Sequence, residues 1–452
     1  MATLEKIEIK EKFKSFFRPI VNRIPNNIRY GKKYRFFLKE VDSFYKLSIE
    51  KKREIQLVKL RELLKYSYEN VPYYKELFDL NNISYNIKSF DEFEKIPFLT
   101  KDILRNNIEK FISKVDIKKI KLTTGGTTGM PLEFYLDNTV NMQENCFVDY
   151  YWKKYSKDYK NTSKIVILRG NIPKNGKIFE KIGNKLIMSS FKLNQMTIDK
   201  YLKKIIDFQP EYLHIYPSSL NILAEYILKE DVELNLKNLK GIFSSSETLS
   251  DYQKQNIEKA FKCIICDLYG NSERNVIAFN NIEEDKNYKL DLLYGYTEIL
   301  SEENKNIMLV NKSKGEIVAT SFWNKSMPLI RYKTGDIAIT NGSYEKVNKI
   351  LGRKSEYFID KYKNKILFTW ADEIFWNNKE KIEAYQYIQY EEGKVILKIK
   401  KKIDSELFPE ELDDLKNEFN RLYENISIKI EIVDEILRTS RGKYRFLIQN
   451  IK

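Results

Sequence analysis

Between residues 165 and 268, short apolar runs alternate with amphipathic stretches, and this alternation restricts the fold more than any other feature of the chain. Residues 165–168, 212–216, 241–244 and 264–268 read as strands, since each is a brief apolar run bounded by polar residues. Residues 198–208, 218–229 and 251–261 have helical spacing, and the first of these stops before Pro210. Strands and helices in succession predict parallel α/β layers.

The pattern differs on either side. Upstream, residues 49–69 predict an amphipathic helix, with Ile55, Val58, Leu60, Leu63 and Leu64 near helical spacing and Pro72 as its stop. Residues 90–103 predict two short helices around Pro97, with Thr100 capping the second. From about Glu298 the strands look antiparallel, with turn residues at Lys314-Gly315 and Asn341-Gly342. After Gly352-Arg353 comes an α+β segment, with strands at 394–399 and 427–433 around a helix at 409–423. A chain of 452 residues exceeds one ordinary core. The expected fold class is therefore α/β: a large multi-sheet N-terminal domain over 1–353 and a small α+β domain over 354–452. Residues 1–50 form a basic N-terminal extension.

Composition excludes several classes. The net charge of +15 comes from 79 Lys+Arg against 64 Asp+Glu, spread along the chain and interleaved. Without a basic-region helix, zinc-finger spacing or RNA-binding signature, no nucleic-acid partner is expected. The frequency of Asn, Lys and Ile lets biased composition account for the charge. Of three cysteines, Cys263 and Cys266 have C-x-x-C spacing. Zinc requires about four ligands, there is no second pair, and His214 is the only histidine. The pair lies in an apolar run that predicts a buried strand, so the cysteines are read as structural and the protein as cytoplasmic. Residues 1–14 alternate charges and carry no secretory signal, and no run of about 18 apolar residues predicts a membrane span. Residues 12–39 are basic and aromatic. They offer peripheral contact with an anionic membrane surface, although Pro19 and Pro25 break them up and packing on the main domain is the other reading.

The strongest chemical signal is Thr123-Thr124-Gly125-Gly126-Thr127-Thr128-Gly129, which follows a strand. Glycines let backbone N–H groups curl round an anion, and threonine hydroxyls add donors. It is not a Walker A loop, because Gly129 is followed by Met130-Pro131 instead of Lys-Ser/Thr. Further along stand Ser244-Ser245-Ser246-Glu247, Tyr269-Gly270-Asn271-Ser272-Glu273, Tyr332-Lys333-Thr334-Gly335-Asp336, Gly352-Arg353 and Arg441-Gly442-Lys443. Each alone is a strand-end turn, a hairpin or a basic tail. Their order together is not an ordinary coincidence.

In that order and wording the chain resembles the adenylate-forming superfamily of acyl-CoA synthetases, luciferases and peptide-synthetase adenylation domains. It is most similar to phenylacetate–CoA ligases and their relatives in capsular-polysaccharide synthesis. Val71-Pro72-Tyr73-Tyr74-Lys75 and Ile96-Pro97-Phe98-Leu99-Thr100-Lys101 are typical of that branch. The resemblance runs from about residue 60 to the C-terminus.

It implies an ATP-dependent, AMP-forming carboxylate ligase using Mg2+, with a mobile C-terminal domain. Thr123 to Gly129, Thr128 among them, would hold the ATP phosphates. Ser245, Ser246 and Glu247 would border the adenine and Tyr269 would stack on it, within the motif that includes Gly270, Asn271 and Ser272. Glu273 would help hold Mg2+, Asp336 would bind the ribose hydroxyls, and Arg353 would approach ribose and phosphate at the hinge. Lys443 would meet the charge developing during adenylation. The chain departs from the common pattern in two places: the hinge carries Glu356 where an Asp is common, and Leu132 stands where many members have Lys, as tends to happen in this branch.

The acyl group has two candidate acceptors. The capsule-type branch implies an amine, on a sugar or amino acid; the alternative is the thiol of CoA. A non-catalytic ATP-binding protein is a third class, which the presence of Lys443 and Glu273 argues against. Near the acyl pocket the resemblance places His214 and Tyr216, whereas a lone His in an apolar strand also reads as core. Phe147 and Tyr150, with Tyr151 and Trp152, either line that pocket or pack in the core. Arg169 and Arg274 are further candidates for meeting an anionic substrate.

Overall fold

A computed structural model describes residues 23–123, 132–170, 173, 177–194, 196–280, 287–353, 357–363, 365–367, 381–402, 405–423, 425–438, 445 and 447–451. The N-terminal part is helical: α1 (Gly31–Tyr45), α2 (Ile49–Asn70), α3 (Pro72–Leu80) and α4 (Lys101–Asn106), with one-turn helices at Asn26–Arg29, Phe90–Phe93 and Ile108–Phe111. Ser48 caps α2 by accepting from Lys51 N, and Val71-Pro72 ends it and opens α3 with proline in the first turn. Leu60, Leu63 and Leu64 of α2 are buried as expected, but Val58 is exposed. Its inner face instead includes Gln56, which donates to the carbonyls of Leu292 (3.3 Å) and Gly295 (2.7 Å). The α1 helix packs its Tyr34, Phe37, Val41 and Phe44 into an aromatic cluster of the main body, as the packing reading of this region expects.

A hairpin of β1 (Lys119–Thr123) and β2 (Glu133–Asp137) forms a separate two-stranded sheet. Next come α5 (Val140–Tyr155), β3 (Ile165–Arg169), β4 (Phe179–Ile182), β5 (Lys185–Ser189), α6 (Ile198–Phe208), β6 (Tyr212–Ile215), α7 (Pro217–Lys229), β7 (Gly241–Ser245), α8 (Asp251–Phe261) and β8 (Ile265–Gly270). Antiparallel strands follow: β9 (Ile277–Asn280), β10 (Tyr288–Leu290), β11 (Gly295–Leu300), β12 (Asn311–Ser321), β13 (Tyr332–Ser343) and β14 (Lys346–Arg353). All of β3 to β14 join one twelve-stranded sheet in the order β11-β12-β13-β14-β10-β9-β8-β7-β6-β3-β5-β4. Its β5-β3-β6-β7-β8 portion is parallel, as the alternation predicts.

Two local expectations are corrected. Lys314-Gly315 is not a turn but lies inside β12. A Cβ at Gly315 would come within 2.5 Å of the Leu300 carbonyl, so the glycine serves close strand approach. Cys263 precedes β8 in the turn after α8, while Cys266 is buried in the strand; both are free thiols, and burial pushes them up to about 11 and about 12.

The C-terminal part builds its own sheet. β15 (Tyr357–Ile359) and β16 (Lys365–Leu367) form a hairpin. β17 (Ile382–Glu391), β18 (Lys394–Lys401), β19 (Ser427–Ile432) and β20 (Leu447–Gln449) order as β19-β18-β17-β20. Leu415 and Phe419 of α9 (Pro409–Leu422) share a core with Phe358, Tyr387 and Leu397. The fold is thus α/β, with a large multi-strand sheet and a C-terminal α+β part. Among the described residues no helix is long and apolar enough to cross a membrane.

Candidate active site

The carboxyl ends of β3, β6, β7 and β8 lie side by side, which is the edge where open α/β sheets bind ligands. The turn after β8 is fixed by Asn271, whose side-chain oxygen accepts from Asn275 N at 2.8 Å, and by the positive φ of Arg274. Asn275 in turn accepts from Ser321 N at 3.1 Å and donates to the Ala319 carbonyl. Glu273 is thereby buried, and its Oε1 accepts from the Tyr332 hydroxyl at 2.8 Å. Gly270 and Ser272 are exposed, and the buried Asn271 amide nitrogen has no partner among the described residues.

Asp336 lies four residues beyond Tyr332 on β13 and is also buried. Its Oδ2 accepts from the Tyr269 hydroxyl at 2.7 Å, and Arg353 Nε stands 3.0 Å from its Oδ1. Asp336 and Arg353 face each other in the β13–β14 ladder, so backbone register sets this pair. A carboxylate offers about four acceptor positions. Two are occupied here, and capacity remains for a diol. The Asp336 carboxylate, helped by Glu273, raises the Arg353 pKa against the effect of burial. Burial, followed by the adjoining carboxylates, raises the Tyr269 and Tyr332 hydroxyls well above the ordinary tyrosine range, so both remain donors.

Lys101 joins this cluster, a position to which sequence reasoning gave no chemical role. Leu99 N donates to the Arg331 carbonyl (3.0 Å) and Lys333 N to the Leu99 carbonyl (2.9 Å), which docks the segment on the start of β13. Thr100 caps α4 by accepting from Ile103 N at 3.3 Å. Lys101 Nζ then lies 3.5 Å from where a Cβ at Gly335 would sit, and Gly335 has a φ of +78°. Burial lowers the Lys101 pKa, as does Arg353; Glu273, Asp336 and Glu316 oppose them. The phrase around Pro97 had marked the position, but its approach to Gly335 is not visible in sequence.

A second group forms at β3, β6 and β7. His214 Nε2 is 3.0 Å from Arg169 Nη1 and 3.3 Å from Ser245 Oγ. Arg169 Nη2 donates to Ser246 Oγ at 2.8 Å and lies over the Tyr216 ring, 5.5 Å from its centroid. Ser246 has a φ of +75°, and Glu247 accepts from Ser218 N at the start of α7. Burial, followed by the Arg169 charge, lowers the His214 pKa well below its ordinary value.

The α5 aromatics divide between neighbours. Trp152 stacks on Phe243 (4.1 Å) and meets His214 edge-on (5.0 Å). Phe147 is fully buried against Phe37 and Tyr294, and Tyr150 stacks on Tyr45 at 4.7 Å. Both thus have core contacts with the N-terminal region. Arg274 is ion-paired with Glu144. Thr123 ends β1 at an exposed position. Thr124, Gly125, Gly126, Thr127, Thr128, Gly129, Glu356 and Lys443 lie outside the described residues.

A family model described as the CapK C-terminal domain matches residues 358–450. Protein CapK of Staphylococcus aureus is 28% identical over 417 residues, covering 88% of this chain and 89% of that protein. The phenylacetate-coenzyme A ligase of Pseudomonas putida is 26% identical over 365 residues, covering 78% of this chain and 82% of that protein. Among solved structures, 2-hydroxyisobutyryl-CoA ligase in the postadenylation state with R3-HIB-AMP matches with a TM-score of 0.67 at 17% identity. That match covers 89% of this chain and 90% of the other, and it is a likeness of fold. The fold is that of an AMP-forming carboxylate–CoA ligase, and the sequence relatives include enzymes of that class. In sequence the chain is similar over most of its length to CapK and to the phenylacetate–CoA ligases, which places its resemblance in that branch of the adenylate-forming superfamily.

Proposed function

We propose that the chain activates a carboxylate with ATP and passes the acyl group to the thiol of coenzyme A. The observation that carries this reading is the convergence of Glu273, Asp336 and Arg353, linked through Tyr332 and Tyr269, at the carboxyl end of β8. A carboxylate oxygen attacks the α-phosphorus, an acyl–O–P bond forms, and the bond to pyrophosphate breaks. The CoA sulfur then attacks the acyl carbon, and AMP leaves. Positioning and charge stabilisation supply the catalysis.

Asp336 takes the ribose hydroxyls, Tyr269 and the 245–247 segment border the adenine, and the 123–129 loop cradles the phosphates. Arg353 and Lys443 meet phosphate charge. Mg2+ needs one or two protein carboxylates beside substrate phosphates and water. Glu273 suits that role, being buried and aligned by Tyr332 while keeping acceptor capacity. Bound there, Mg2+ would neutralise charge on the phosphates. Residues 1–353 form the ATP- and acyl-binding domain. The part from 354 onward turns about the Arg353 region between the two steps, breaking contacts such as Lys402 Nζ to Glu225 at 3.7 Å. The three free, buried or half-buried thiols support a cytoplasmic setting.

The names of the phenylacetate–coenzyme A ligase relatives favour a thiol acceptor over an amine. The match of residues 358–450 to the CapK domain supports a second reading, transfer to an amine in surface-polysaccharide assembly. Mass spectrometry of reactions containing ATP, a carboxylate panel and either CoA or amines separates them. Acyl-CoA with stoichiometric AMP is expected. Amide formation with no CoA product would overturn the thioester half of the proposal.

A further inference from the structure

We infer that the acid activated by this chain carries a second oxyanion, and that Arg169 receives it with His214 alongside. The inference rests on the adenylating role proposed above.

Arg274, Arg331 and Arg353 each have a carboxylate partner, in Glu144, Glu298 and Asp336 respectively. Arg169, at the end of β3, has no carboxylate within ion-pair distance among the described residues. Its close protein partners are neutral, namely His214, the Ser246 hydroxyl and Tyr216, and the Glu247 carboxylate acts on it only from beyond ion-pair distance. Its Nε is buried with no hydrogen-bond partner among the described residues. His214 cannot supply the missing charge, since it accepts from the guanidinium through Nε2 and is held neutral.

The start of α7 adds further unfilled polar capacity. Ser218 and Ser219 are buried, and neither hydroxyl has a partner among the described residues. They come two and three residues after Tyr216, whose ring Arg169 faces. Holding a half-buried cation without a close counter-charge, beside buried hydroxyls that lack partners, is costly, and a group left unsatisfied in this way calls for a partner. An acid with an alkyl or aryl tail would leave the guanidinium unpaired. A second carboxylate, or an oxyanion of like geometry, meets it through a planar fork. Such a site discriminates strongly against analogues that lack the group.

The test is carboxylate-dependent ATP–pyrophosphate exchange with dicarboxylates of increasing length, each paired with the monoacid of the same chain. For the best diacid, kcat/KM should exceed that of its monoacid by on the order of 10²-fold or more. Arg169→Gln should abolish that ratio without raising the KM for ATP, and Arg169→Lys should retain part of it. Thermal unfolding with and without ATP shows whether each variant is folded. Monoacid preference in the parent protein, or an unchanged ratio in folded Arg169→Gln, would overturn the inference. So would a rise in KM for ATP with every acid alike, which would place Arg169 on the nucleotide. If no acid of any kind supports exchange, the ligase reading itself fails.

Discussion

The Tyr332 hydroxyl donates to Glu273 Oε1 at 2.8 Å, so the first residue of β13 aligns a carboxylate from the turn after β8. Removing that donor should misalign Glu273 without unfolding the strand. Tyr332→Phe should lower the exchange rate about tenfold, the worth of one hydrogen bond to a charged group. Glu273→Gln should cost at least about 10²-fold and raise the Mg2+ concentration needed. Steady-state exchange at varied Mg2+ measures both.

Asp336 is held by Tyr269 on one oxygen and by Arg353 on the other. Asp336→Asn removes the charge that Arg353 faces and weakens the acceptor offered to the ribose. ATP affinity by calorimetry should fall by roughly 10- to 100-fold. Removing Arg353 as well should cost less than the sum of the two single changes, because the residues act as a pair.

Lys101 is charged beside Glu273 and Asp336, yet its pKa is pushed below the ordinary 10.5 by burial and by Arg353. The charged form is lost as pH rises through that lowered value. If the charge serves the phosphates, exchange should decline on the alkaline side in the parent protein. In Lys101→Arg it should stay flat over the same range, and in Lys101→Met it should be weak at every pH. A pH–rate profile of the three proteins decides.

Arg331 and Glu298 form an almost fully enclosed ion pair at 2.6 Å, and Arg331 also donates to the carbonyls of Glu94 and Ile96. Arg331→Met leaves Glu298 buried without its partner and should destabilise by about 3–5 kcal/mol. Urea unfolding measures this, with the Glu298→Gln/Arg331→Met double variant recovering part of the loss.

His214 has a folded pKa well below its unfolded value near 6.5. The unfolded state therefore binds the extra proton first, and this residue destabilises the fold as pH falls below about 6.5. The stability difference between the parent protein and His214→Gln should shift in favour of the variant from pH 7 to pH 5. Paired denaturation curves at those two pH values check the sign.

Where local patterning and long-range packing agree, the sequence was enough to locate an element. Residues 198–208 and 251–261 are helices with the expected bounds, the second closed by a Ser250–Gln253 capping box. Gly315 misled because a glycine used for a turn and one used for close strand contact look alike in sequence. The burial of Gln56 and Lys52 has no local signal: it depends on the carbonyls of residues 292 and 295 and on Glu345, far along the chain. The carboxylates of the candidate site were legible because they sit in recognisable motifs. The approach of Lys101 to Gly335, and the lack of a carboxylate within ion-pair distance of Arg169 among the described residues, arise from contacts between distant segments. No local pattern encodes either one.

The central claim is chemical, and ATP–pyrophosphate exchange tests it most directly. Exchange should require a carboxylate, and Lys443→Ala should abolish it while ATP binding survives. Exchange that no carboxylate stimulates, or full exchange in Lys443→Ala, would contradict the account.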